Sequence, residues 1–153
     1  MVLAVAALSP AAALGAAKGT DRPLKGTRTA TSIVNLATGT GTVDGTFRFT
    51  HLGKGIFYEE VTSTLTGNTF VVTGTETFVA ANGDKLFVTV AGTGTLTSTG
   101  TESTIVGTIT GGTGRFADAS GTFTATGVGV IVSVVGSIVT STATHTPEGQ
   151  ISY

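Results

Sequence analysis

From Arg22 onward the chain alternates apolar and polar residues in short runs, broken by glycine, asparagine and serine. Alternation at every second position marks a strand with one face buried. The pattern predicts strands over 24–35, 41–51, 55–66, 69–80, 85–97, 103–110, 120–135 and 138–145, with a last piece at 149–153. The breaks suit turns. Gly67-Asn68 and Asn82-Gly83 tolerate positive φ, and Gly136-Ser137 fits a two-residue hairpin. The intervals are too short for crossover helices, so neighbouring strands should pair antiparallel. Eight or so strands in ~135 residues is the size of a small closed barrel or a sandwich.

The same alternation sorts side chains by face. In "VDGTFRFTH", Val43, Gly45, Phe47, Phe49 and His51 share a row, opposite Asp44, Thr46, Arg48 and Thr50. In "TFVVTGTETFVA", Glu76 interrupts the row of Phe70, Val72, Gly74, Phe78 and Ala80. An unpaired carboxylate there would be costly. In "GIFYEEV", Ile56, Tyr58 and Glu60 share one face, while Phe57, Glu59 and Val61 share the other. Either choice carries one carboxylate inside, and Phe57 with Val61 favours the face of Glu59. The candidate proton-transfer groups are therefore Glu76, Glu59 and His51. A carboxyl raised by burial beside a histidine is suited to that chemistry. Phe47, Phe49, Tyr58, Glu60, Phe70 and Phe78 are the candidate ligand contacts. His51 also precedes Leu52-Gly53, where it has the simpler role of a turn residue.

Composition agrees with an all-β domain. Thr is the commonest residue, Gly occurs 23 times, and there is no cysteine or tryptophan. Thr favours pleated, half-solvated strands. Only 11% of residues are charged and the formal net charge is −1, so nothing draws the chain to nucleic acid or anionic lipid. His51 and His145 show no ligand spacing and cysteine is absent, so no metal is expected. Residues 1–17, "MVLAVAALSPAAALGAA", form a separate apolar segment ahead of a single domain, 18–153. The segment resembles the core of a secretory signal peptide, which predicts a secreted or cell-surface protein. It is shorter than the ~20 apolar residues of a membrane span and has Pro10 in its middle. The apolar Gly127–Val139 run, interrupted by glycine, reads as a core or interface strand rather than a span.

"GGTGRFADASGTFT" (Gly111–Thr124) contains the Gly112-x-Gly114-x-x-Ala117 spacing of a dinucleotide fingerprint. That fingerprint works through a helix that follows the glycines and an acidic residue about 20 positions on. Here strand pattern resumes within a few residues, and "GSIVTSTAT" stands where the acid should be. Gly111, Gly112 and Gly114 are therefore read as a sharp loop, with Phe116 in it and Arg115 paired to Asp118. Asp84, in "ANGDK", is read as a solvated hairpin residue.

The stretch "GGTGRFADASG" also resembles the G-G-T-G-x-F-x-x-A-x-G signature of dirigent proteins and their allene oxide cyclase-like relatives. With "RPLKGT" (22–27), "HLGKG" (51–55) and "ANGD" (81–84), the chain resembles a group of small secreted bacterial proteins of unassigned function. The resemblance implies an antiparallel β-barrel of about eight strands, often homo-oligomeric, with a mostly apolar pocket. It implies a ligand-binding or cofactor-free cyclase role on a small hydrophobic molecule. Dirigent-type sequences commonly carry Arg where this chain has Ser120, and no catalytic residue is transferred. The competing expectation is a structural or adhesive module that self-assembles through its Thr-rich and apolar strands.

Overall fold

A computed structural model describes residues 19–153; the apolar segment 1–17 lies outside the described residues. Eight strands follow one another: β1 (Arg22–Asn35), β2 (Thr40–Phe49), β3 (Gly53–Thr66), β4 (Thr69–Ala80), β5 (Lys85–Leu96), β6 (Thr101–Gly112), β7 (Ser120–Val135) and β8 (Ile138–Ser152). Each pairs antiparallel with its sequence neighbours, and β1 pairs with β8, which closes the sheet into an up-and-down barrel. Closure satisfies strand edges that an open sheet would leave exposed. Among the described residues no helix is long and apolar enough to cross a membrane.

One predicted break between strands is absent. Residues 138–145 and 149–153 belong mostly to one strand, β8, which runs through Pro147 to Ser152. Pro147 pairs with Ala125 of β7. On its other side the β1–β8 ladder pairs Lys25 with Glu148 and Arg28 with His145, with no pairing recorded between them. The missing proline N–H therefore falls where the ladder lapses, and the strand continues past it.

Strand direction gives the barrel two ends. The β2–β3, β4–β5 and β6–β7 connections lie at one end with both termini of the described chain. The β1–β2, β3–β4, β5–β6 and β7–β8 turns lie at the other. The first end is filled. Phe78 is fully buried, with ring centroids of Phe47, Phe49 and Phe57 at 5.1, 5.2 and 5.6 Å. Leu24, Leu52, Leu86, Phe116 and Ile151 complete this core. Towards the other end the inward side chains are smaller, among them Ala30, Ser32, Ser63, Ser141 and Ala143. They leave a cavity of about 200 Å³. Outward positions are largely threonine, including the cross-strand series Thr93, Thr104, Thr126 and Thr146.

The two halves should respond differently to truncation. Phe78→Ala removes the ring on which the filled half packs and should cost about 3–5 kcal/mol. Phe70→Ala, whose ring borders the cavity, should cost well under half of that. Denaturant unfolding of both variants checks the division, and equal losses would contradict it.

Candidate binding cavity and its polar floor

Three residues of the recognisable motifs meet at the filled end, away from the cavity. Arg115 donates from Nη2 to the His51 carbonyl at 2.7 Å, and its Nε lies 3.9 Å from Asp84 Oδ2. Asn82 Nδ2 donates to the same carboxylate at 2.8 Å. The expected partner of Arg115 is thus corrected from Asp118, which is exposed, to Asp84, which is half-buried. The glycine loop does make a sharp turn, with a single 3-10 turn over Gly114–Phe116 before β7. Gly114 is required there: its φ is +57°, and a Cβ would collide with the Asp84 carboxylate. Gly111 is inward with φ +137°, and Gly112 packs against Lys85 and Phe116. Tyr153 closes this end, with its ring 5.1 Å from Phe116 and its hydroxyl accepting from Arg22 at 3.0 Å.

His51 belongs to this cap. It is exposed, has φ +67° and sits in the β2–β3 turn, so its ring lies outside the barrel and apart from Glu59 and Glu76. The alternation that placed it beside Phe47 and Phe49 stops when β2 ends at Phe49. Tyr58 and Glu60 are also corrected: both face solvent, because Phe57, Glu59 and Val61 take the inner face of β3. Phe47, Phe49 and Phe78 are buried in the filled half, while Phe70 lines the cavity.

Glu59 and Glu76 both point inward, 5% and 2% exposed, and are directly opposed on β3 and β4. Like charges in that register repel. Arg28, 3% exposed on β1, answers them from across the barrel. Its Nη1 contacts Glu76 Oε1 directly and lies 3.9 Å from Glu59 Oε2. His145, paired with Arg28 in the β1–β8 ladder, shares a hydrogen bond between Nε2 and Ser103 Oγ at 3.0 Å. Its ring fits because position 127 is glycine; a Cβ there would strike the imidazole. Arg28, Glu59, His145 and Ser103 line the cavity, whose walls include Val34, Val61, Phe70, Leu96, Ile131 and Val139.

Burial sets the protonation of this floor. It pushes Glu76 up to about 8 against the pull of Arg28, with the Glu59 charge adding to the rise. Burial raises Glu59 as well, again opposed by Arg28. The carboxyls share one cation and titrate as a pair, keeping one proton through neutral pH. Direct contact with Arg28 favours the charged form of Glu76, but its deeper burial outweighs that contact. His145 is lowered to about 4, first by burial and then by Arg28, and is neutral at pH 7. Arg28 Nε, Glu76 Oε2 and His145 Nδ1 are buried without a hydrogen-bond partner among the described residues. Among the described residues no group of three His, Cys, Asp or Glu is placed to hold a metal ion.

Sequence reasoning missed Arg28, His145 and Ser103. The signal was present for Arg28, which shares its row with Leu24, Ala30 and Val34 opposite threonines. An inward Glu76 also demands a cation somewhere.

The shifts fix the sign of a pH dependence. A carboxyl raised in the folded state binds its proton more tightly than in the unfolded chain, so stability falls as pH rises from 4.5 towards about 8. His145, lowered from 6.5 to about 4, works oppositely over that interval. Between 4.5 and 6.5 Glu76 and His145 oppose each other; between 6.5 and 8 the Glu76 contribution is unopposed by His145. The melting temperature should fall more steeply in the second range than in the first, and Glu76→Gln should remove that fall. Thermal unfolding across this range checks it.

No family model and no curated protein matches the chain. The fold is similar to the solved structure of a pterocarpan synthase dirigent protein, with a TM-score of 0.51 and 18% identity, covering 97% of this chain and 98% of that one. The chain has the closed eight-stranded antiparallel barrel of a dirigent protein.

Proposed function

We propose that the open half of the barrel binds one small, mostly apolar molecule and holds its polar end against Glu59, His145 and Ser103. The observation that carries this reading is the cavity of about 200 Å³, with aliphatic walls over a hydrogen-bonding floor. A dry apolar cavity of ~150 Å³ takes benzene. This one, open to solvent at its rim, suits a ligand of roughly ten to fifteen heavy atoms. Small eight-stranded barrels are wide enough to hold one such ligand. Glu59 and Glu76 supply a buried carboxylic acid to a cavity that the neutral His145 also lines, and both kinds of group can pass a proton to or from a ligand oxygen. Arg28 then holds the carboxylate that remains. This supports a dirigent-like or cyclase-like role that uses the chain's own residues. Secretion belongs to the same proposal and rests on the apolar run 1–17.

Titration with 2-acetylnaphthalene, followed by its fluorescence, tests the reading. The wild-type protein should bind it, and Ala143→Phe, which fills the cavity from β8, should weaken binding by about tenfold or more with the far-ultraviolet spectrum unchanged. Equal binding by both proteins would place the probe elsewhere.

A specific observation favours self-association as a second property. The β6–β7 ladder ends at the pair Thr101–Gly129, while β7 runs on to Val135. Val130, Val132, Val134 and Val135 are 57–73% exposed on this extension. No Asp, Glu, Lys or Arg lies between Asp118 and Glu148 to oppose edge pairing. The edge fits a second copy of the chain, pairing antiparallel. Sedimentation should show a dimer that Val132→Lys with Val134→Lys converts to monomer; a monomeric wild type would end this reading.

A further inference from the structure

We infer that the cavity selects uncharged ligands and rejects anions, because Glu59 and Glu76 together neutralise Arg28, the one cation on its floor among the described residues. The inference rests on the binding reading above and adds the chemical class of what is bound. An arginine lining an apolar cavity would ordinarily mark a carboxylate or phosphate site, since guanidinium pairs with such groups in fork geometry. Here its charge is met inside the protein, although Nε has no hydrogen-bond partner among the described residues. Arg28 Nη1 contacts Glu76 directly and Glu59 lies 3.9 Å away. Among the described residues the other groups at the floor are His145, which is neutral, and Ser103, its hydrogen-bond partner.

The carboxyl pair can hold none, one or two protons. With one carboxyl protonated the floor is neutral, with both ionised it is negative, and only with both protonated is Arg28 left uncompensated. In the first two states it does not compensate an incoming anion, and burying an uncompensated carboxylate is expensive. The surrounding wall supplies only uncharged side chains: Ser32 and Ser141, hydrogen-bonded to each other at 2.7 Å, Ser63, Thr101 and aliphatic groups. What remains on offer is a hydroxyl, an imidazole nitrogen and a carboxyl edge. Those groups suit an alcohol, ketone or amide oxygen or N–H. Glu76 is a specificity residue that acts through Arg28, without lining the cavity itself.

Matched probes of nearly equal shape test this: 2-naphthamide, neutral, and 2-naphthoate, anionic. Wild-type protein near pH 7 should bind the amide about tenfold or more tightly than the carboxylate. The paired change Glu59→Gln with Glu76→Gln leaves Arg28 uncompensated and should raise naphthoate affinity about tenfold or more. Naphthoate binding the wild type as well as the amide would overturn the inference while leaving the binding reading intact. A folded double variant that gains nothing for naphthoate would overturn it too. Failure of the wild type to bind either probe, or 2-acetylnaphthalene, would remove the site and both proposals. If the double variant does not fold, the wild-type preference decides the question by itself.

Discussion

Arg28 reaches from β1 to two carboxyls that β3 and β4 hold side by side, and this contact divides the barrel interior. On one side lie the packed phenylalanines; on the other lies the cavity. Two inward carboxylates in direct register would repel, and a lone buried guanidinium would be worse. Together they form a unit that can be buried, although such clusters seldom add net stability. Their effect is on chemistry: burial keeps a proton on the carboxyl pair and a charge off His145.

Side-chain size does the rest. Eight strands enclose a space that side chains can just fill or leave open for one small molecule. Phe47, Phe49, Phe57, Phe78 and Phe123 fill the half nearest the termini. Serine and alanine on the inner faces of β1 and β8 leave the other half open, with Leu36, Leu65 and Leu96 around its mouth. The cavity is therefore a consequence of where large residues stop, and the ionic cluster sits at that boundary.

The stretches that make the sequence recognisable perform a different task. Gly114, Arg115, Asp84 and the His51 carbonyl tie three loops together over the filled end. They secure the fold and contribute nothing to the cavity wall. A likeness carried by these motifs is a likeness of closure, while Arg28, His145 and Ser103 stand outside them. Fold closure and cavity chemistry are thus carried by different residues of this chain.

Period-two alternation and turn residues determined the strand count, their order and most of their limits, because both are local properties of the chain. They also put Glu76 among apolar neighbours and leaned towards Glu59 over Glu60. Three matters needed the tertiary structure. Alternation has no way to mark where a strand stops, so His51 was counted inside although the chain turns at that point. It does not show which distant residue answers a buried charge, so Arg28 and Glu76, 48 positions apart, met only when the sheet closed. Nor does it show that Pro147 lies at a lapse in the β1–β8 ladder, where a missing N–H leaves the strand intact. Local pattern decides the face a side chain takes; closure of the barrel decides what it faces.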